Sequence, residues 1–443
     1  MDIGETRPCL PVDTLWKPWI PASAGMTGIT HSRRGRSGII GAPVTQPPRY
    51  DRRLVVWLSL AQLITWGSVF YTFALVLEPV ERELGMERAS SSLAFSLALL
   101  AEGAGAWIVG RWIDAGRERL VMTTGSLLIA LGLFAHSQVH SPAAFYATWL
   151  LLGCAFAATL YTPAFAVVTR RFPADFRRAI ITLTFLGGLA STVFIPLTAW
   201  LISAFGWRAA LLVLAGIQLA VCVPIHALCL RNAPPARAPG AALPEAHSPR
   251  ELVRSAPFLL IGVFVVGMMA VTAALPPHMV TLLRESGLPE AWAIAIPASI
   301  GLVQVIGRLL LFFFEHRFDV HKANAAIPFL IPMALVALLL AAAHPVAAIV
   351  FVVLYGLGNG MLTIVKGTAI AQYVSQAHVA SLNGALGLPS ALGRAFAPAL
   401  LGVLWTRECG YFAGIVVLLV ASVIAAVALV GAQRRALATA RAE

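Results

Sequence analysis

The sequence predicts an all-α membrane protein of twelve transmembrane helices in two six-helix bundles, with both termini cytoplasmic. Three observations predict it. The 443 residues are 59% hydrophobic and only 12% charged, about half the charged share of a soluble chain, so the protein cannot cover its surface for water. Apolar runs of about 20 residues, the length that spans a bilayer, recur along the whole chain. Lysine and arginine are shared unequally between alternate loops, which sets orientation.

In chain order the spans fall at roughly 54–77, 90–110, 120–138, 144–169, 178–203, 208–230, 256–279, 292–314, 325–343, 346–372, 381–404 and 411–432. The longest internal hydrophilic stretch, 231–254, divides them into two sixes. It carries Pro234, Pro235, Pro239, Pro244 and Pro249 and is expected to be an extended or disordered cytoplasmic linker. The organisation is then an N-terminal bundle at 51–230, the linker, a C-terminal bundle at 255–433 and a cytoplasmic tail at 434–443.

With the N-terminus inside, the cytoplasmic side receives nineteen Lys and Arg residues, among them Arg111, Arg117, Arg119, Arg170, Arg171, Arg177 and Arg178. The opposite side receives five: Arg82, Arg88, Arg208, Arg284 and Arg407. This asymmetry orients the chain in a bacterial inner (plasma) membrane. Trp149, Trp200, Trp207, Trp292 and Trp405 fall near the predicted interfaces, as an aromatic belt requires.

Residues 1–50 are a different text, rich in Pro, Gly and Arg, with no apolar run long enough for a signal peptide. The stretch from Trp19 to Thr27 resembles the translation of dispersed bacterial repeat elements. The functional chain is expected to start near residues 44–53, and the extension to be disordered.

Composition excludes several classes. The net charge of +12 sits in short loops between spans and forms no aromatic-basic face for nucleic acid. The five cysteines (Cys9, Cys154, Cys222, Cys229 and Cys409) have no metal-ligand spacing. No phosphate-cradling glycine loop with lysine, helical His-Glu pair or nucleophile–base set is present, so neither an enzyme nor a metal or other cofactor is predicted.

Between the second and third spans stands Gly110-Arg-Trp-Ile-Asp114-Ala-Gly-Arg-Glu-Arg119. It resembles the cytoplasmic loop signature of the major facilitator superfamily: glycine first, aspartate fifth, basic residues last. Ala115 departs from the usual arginine, and the second glycine is displaced to Gly116. Gly187-Gly188, Pro196 and Gly206-Trp207-Arg208 add to the resemblance. So does the echo in the second half, Gly307-Arg308 followed by Glu315, Arg317 and Asp319. The resemblance covers about 50–435 and implies a secondary transporter, usually monomeric, working by alternating access. Gly110, Asp114, Arg119, Glu315 and Asp319 would then govern its conformation. Residues 62–85, with Trp66-Gly67, Tyr71 and Glu78-Pro79, look like bacterial relatives of monocarboxylate and oxalate–formate carriers. That branch implicates an arginine of the eighth span in carboxylate binding, and Arg308 falls in the matching span. Animal monocarboxylate carriers place a proton-coupling aspartate four residues earlier; here that position holds Gln304.

The residues themselves point the same way. Arg308, Lys366 and Arg394 lie inside apolar spans of the second half, and no carboxylate lies at similar depth in that half. Intramembrane charge is expensive and faces a partner, a ligand or a water-filled path. Helical spacing aligns Asn383, Gly387, Ser390, Arg394 and Pro398 on one face, Gly356, Asn359, Thr363 and Lys366 on another, and Gln304 with Arg308 on a third. The alternative for Arg308 and Lys366 is snorkelling, since each sits about six residues, or roughly 9 Å, from the cytoplasmic helix end. Pairing with Glu315 or Asp319 is another. For Arg394 the alternative is helix packing. Gln62, Tyr71 and Tyr161 are candidates for the opposite wall of a central site, with core packing as their alternative. Glu102, among Gly103 and Gly105, is a candidate proton carrier or a hydrogen-bonded packing residue. The expected substrate is a small organic anion, a mono- or dicarboxylate, moved with a proton or an exchanged anion. An exporter of drugs or other hydrophobic compounds is the competing prediction, and a membrane receptor a weaker one.

Overall fold

In a computed structural model the protein is built from helices, and the structure describes residues 50–232 and 248–442 apart from Ser286, Leu288, Phe318, Ala342 and Ala343. The expected disorder of the N-terminal extension and of most of the linker falls outside the described residues.

The first half starts at α1 (Arg52–Thr65), capped by Asp51, whose carboxylate accepts from the Arg53 and Leu54 N–H groups at 2.9 and 3.2 Å. Such a cap satisfies donors that the first turn leaves without partners. A π-helical turn (Trp66–Tyr71) leads into α2 (Thr72–Leu84). There follow α3 (Arg88–Asp114), α4 (Glu118–Ser137), α5 (Pro142–Thr159), α6 (Tyr161–Arg171), α7 (Phe176–Gly188), α8 (Ala190–Ile217) and α9 (Val223–Cys229).

The span expected at 144–169 is broken at Leu160, whose ψ is −163°. Pro163 explains why this break is tolerable. A proline has no N–H, so the Thr159 carbonyl loses its helical donor, and the Gln62 side-chain amide donates to it instead at 2.6 Å. Within α8, Gly206 has φ 80°, which breaks one helical run into two there.

The second half comprises α10 (Pro249–Leu252), α11 (Ala256–Ala274), α12 (Met279–Glu285), α13 (Glu290–Phe314), α14 (Val320–Ala326), α15 (Leu330–Leu340), α16 (Pro345–Tyr373), α17 (Val379–Ala385), α18 (Gly387–Val403) and α19 (Phe412–Ala442). Among the described residues, ten helices are long and apolar enough to cross a membrane. One of them, Phe176–Cys229, runs for 54 residues across the Gly206 break, and Ser299–Phe314 is a further, shorter apolar helix.

Within the first half α3 packs on α5, α4 on α5 and α8, and α1 on α7; within the second, α13 packs on α16 and α11 on α18 and α19. The halves meet where α3 lies along α17 and α18, and where α7 meets α13 and α16. The outer faces carry exposed Leu131, Phe134, Leu212, Val403 and Ile424, an apolar coat that suits lipid rather than water.

Candidate functional site

A cavity of about 190 Å³ lies between the halves, lined by helices of both. From the first half Glu102, Trp66 and Tyr161 face it; from the second, Lys366, Asn383, Ser390 and Arg394. The Trp66 and Tyr161 rings make one wall, 5.0 Å between centroids, and Tyr161 stacks on Phe165 at 5.3 Å. Asn383, Gly387, Ser390 and Arg394, aligned by their spacing on one helical face, all line the cavity, although the helix breaks at Leu386 between α17 and α18.

The charges are arranged unequally. Arg394 donates to the Glu102 carboxylate at 3.3 Å, each side chain about one-fifth exposed. The sequence offers no carboxylate at similar depth in the second half, and the partner of Arg394 comes from the first. The Arg394 Nε remains buried without a hydrogen-bond partner. Lys366 donates to the thioether sulfur of Met269 at 2.9 Å, a weak acceptor, and lies within coulombic range of Arg394 and Arg308.

Arg308 stands apart from the lining residues. Its guanidinium lies over Gly188, where an added methyl would overlap it. It is within coulombic range of Tyr71 and Tyr161, and its Nε is buried without a partner. The Tyr161 hydroxyl lies over the adjacent Gly187. Gln62 is fully buried and serves the Thr159 carbonyl, so it is a structural replacement for a backbone donor rather than a cavity wall. Gln304 presents its backbone to Gly360, and the Asn359 carbonyl accepts from the Thr363 hydroxyl at 3.2 Å; neither side chain lines the cavity.

At one end of the cavity the halves are joined by hydrogen bonds. Asp114 accepts from the Ala380 N–H at 3.1 Å, the Ser381 N–H at 2.7 Å and the Ser381 hydroxyl at 2.5 Å. The carboxylate thus satisfies donors of the first turn of α17, where the helix dipole favours negative charge. Gly110, one turn earlier, permits the approach: a methyl there would overlap the Ala380 carbonyl. Arg119 does not take part; it donates to the Ala227 carbonyl at 2.8 Å inside its own half. Asp319 caps α14 through the His321 and Lys322 N–H groups at 2.8 and 3.1 Å, and those N–H groups hold its carboxyl below the ordinary range. Its carboxylate is therefore engaged away from Arg308 and Lys366. The Glu315 side chain lies outside the described residues.

Two constellations escaped sequence reasoning. Glu118, fully buried, pairs with Arg171 at 2.5 Å and Arg170 at 3.2 Å. Arg177, 8% exposed, donates across the halves to Asn324 at 2.9 Å and Thr368 at 3.3 Å. Asn324 in turn donates to Gln372 at 2.7 Å and Tyr373 at 2.9 Å. Arg177 reads in sequence as one more loop cation, and Asn324 carries no periodic signal.

The sequence model of the Major Facilitator Superfamily matches residues 58–323, more than half of the chain. The chain belongs to the major facilitator superfamily. With ten helices among the described residues long and apolar enough to cross a membrane, it is a multi-pass membrane protein of that family. The protein named monocarboxylate transporter 13 from Bos taurus is 32% identical over 198 residues, 42% of this chain and 43% of that protein. Multidrug resistance protein MdtL from Klebsiella pneumoniae is 26% identical over 192 residues, 42% of this chain and 47% of that protein. The chain thus spans less than half the length of the curated relatives it matches. Among solved structures, the facilitator FucP in its outward conformation superposes with a TM-score of 0.69 at 13% identity, covering 85% of this chain and 98% of that one. At this identity the likeness is one of fold.

Proposed function

We propose that this facilitator is a secondary active transporter of a small organic anion, a mono- or dicarboxylate, working as a monomer in the bacterial inner membrane. The twelve spans of the proposal count Phe176–Cys229 as two, on either side of Gly206, and α13 as one. Both termini lie on the cytoplasmic side, and the two bundles rock about the central cavity to expose it alternately.

One observation carries the substrate class: two cations, Lys366 and Arg394, face a cavity whose lining includes a single carboxylate, Glu102. The surplus positive charge is costly in an apolar surround, and a bound anion offsets that cost. An arginine presents a planar fork matched to a carboxylate, which supplies geometric specificity. The likeness to a protein named monocarboxylate transporter 13 supports this reading. Arg308, beyond the Tyr161 wall, is proposed to add to the positive potential, with Asp114 and Gly110 governing closure of one end.

A second reading has its own observation. Trp66, Phe156, Tyr161 and Phe165 also line the cavity, as an exporter of hydrophobic compounds requires, and a stretch of the chain is similar to MdtL. Uptake of radiolabelled pyruvate, lactate and oxalate into proteoliposomes separates the two. Wild type is expected to accumulate at least one of them, with Arg394→Gln and Lys366→Gln strongly impaired. Unchanged carboxylate uptake in both variants removes the anion-binding role of Arg394 and Lys366, and no uptake of any of the three by wild type favours the exporter. A thermal-shift screen against an organic-acid panel narrows the ligand, because binding to the native state raises apparent stability.

A further inference from the structure

The two readings above rest on opposite walls of one cavity. Its aromatic lining, Trp66, Phe156, Tyr161 and Phe165, comes wholly from the first half. Its cations, Lys366 and Arg394, come wholly from the second. The rings form a continuous surface: Trp66 lies 5.0 Å from Tyr161, centroid to centroid, and Tyr161 lies 5.3 Å from Phe165 with the planes 16° apart. The Phe165 ring edge closes on Gly367, where an added methyl would overlap it, so the aromatic wall ends one residue from Lys366. Among the described residues Lys366 finds only the Met269 thioether as acceptor, and the Arg394 Nε is buried without a partner.

A short acid such as pyruvate serves the cationic wall and leaves the rings facing water or a void. Apolar surface left against water is unfavourable, and a void forfeits dispersion contacts. A wholly apolar ligand has the converse defect, since it leaves surplus positive charge in an apolar surround. The size of the space narrows the choice further. An apolar protein cavity of about 150 Å³ takes up one benzene, so about 190 Å³ holds one six-membered ring with a carboxylate attached.

We propose that the substrate is an aryl carboxylate, a single aromatic ring bearing one carboxylate. Its ring lies on the Trp66, Tyr161 and Phe165 wall, and its carboxylate meets Lys366 and Arg394. This rests on the anion reading above and deepens it by naming the other end of the molecule. The ring packs offset or edge-on against the wall, as aromatic pairs prefer, while the carboxylate accepts from the Lys366 ammonium and from guanidinium N–H groups. Each half supplies one of the two walls, so a ligand with both ends bridges the halves, and a ligand with one end engages only one of them. Trp66 and Tyr161 are thus specificity-determining residues, and Lys366 and Arg394 select for charge.

Equilibrium binding of radiolabelled benzoate and pyruvate to the full chain in lipid nanodiscs, measured against empty nanodiscs, tests this. Wild type is expected to bind benzoate about tenfold tighter than pyruvate, or more, the scale of burying part of an aromatic ring. Benzamide, the uncharged counterpart, is expected not to displace benzoate. Trp66→Leu and Tyr161→Leu are each expected to narrow the benzoate-to-pyruvate ratio to about threefold or less, as the ring contacts are lost. A ratio taken within one preparation does not depend on how much of it is folded. Lys366→Gln is expected to weaken benzoate binding about tenfold, the scale of one charge-assisted hydrogen bond. Pyruvate bound as tightly as benzoate, or a ratio untouched in both wall variants, overturns the aryl carboxylate while leaving the anion reading standing. Benzamide displacing benzoate as well as unlabelled benzoate does shows that charge is not recognised and overturns both. Binding of neither labelled probe also overturns both.

Discussion

The Asp114 carboxylate accepts from the Ser381 N–H at 2.7 Å and from the Ser381 hydroxyl at 2.5 Å, tying the end of α3 to the first turn of α17 across 267 positions of sequence. The Ala380 N–H adds a third bond at 3.1 Å. Three donors served by one acceptor make this residue hard to replace. Asp114→Ala is expected to leave those donors poorly satisfied and to cost about 1–3 kcal/mol, read as a lower Tm in detergent. Asp114→Ala combined with Ser381→Ala should cost less than the sum of the two single changes; full additivity contradicts the contact.

Glu118 is a buried anion shared by Arg170 and Arg171. Removing the anion leaves both guanidinium groups without their counter-charge, although Arg170 still donates to the Ile113 carbonyl and Arg171 to the Leu230 and Arg231 carbonyls. Glu118→Gln is therefore expected to destabilise by about 3–5 kcal/mol, seen as reduced yield of monodisperse protein and a lower Tm. A Tm equal to wild type would show that the backbone carbonyls of Ile113, Leu230 and Arg231 suffice for the two arginines.

Arg177 reaches from the first half into a polar network of Asn324, Thr368, Gln372 and Tyr373. Arg177→Met leaves the buried Asn324 oxygen without its donor, at about 1–3 kcal/mol. Adding Asn324→Leu removes the stranded group, so the double variant is expected to recover part of the lost Tm. If the second change only adds to the loss, the network is not the unit described here.

Gln62 offers a test of backbone accounting. Its amide serves the Thr159 carbonyl at 2.6 Å, the group that Pro163 leaves without a helical donor. Gln62→Leu is expected to lower stability by about 1–3 kcal/mol. Pro163→Ala in the Gln62→Leu background restores an N–H four residues on and is expected to return much of the Tm. No recovery would mean that the break at Leu160 has another cause.

Much of the candidate site was legible before any coordinates. Spacing aligned Asn383, Gly387, Ser390 and Arg394, and all four line the cavity, because a helical face depends only on local periodicity. Lys366 and Tyr161 also line it, picked out by charge and by aromatic content in an apolar run. Asn359 and Gln304 share faces with lining or charged residues, yet their side chains do not line the cavity. A face tells which residues point together, while the depth at which neighbouring helices diverge decides which of them meet open space. Arg119 shows a related limit. A loop signature brings it near the cytoplasmic contact, but its guanidinium reaches the Ala227 carbonyl in its own half.

What the sequence by itself determined was the class of molecule: a polytopic helical chain of the facilitator family, with charge set inside apolar runs. The physical reason is that transfer of a span into lipid is a sum over about 20 consecutive residues, and such sums can be read along one dimension. Only the tertiary structure decided which charges meet. Glu102 and Arg394 stand 292 positions apart, and Arg177 meets Asn324 across 147. Each residue of these pairs lies on a different half, so their pairing follows from how the halves dock, which no local period records.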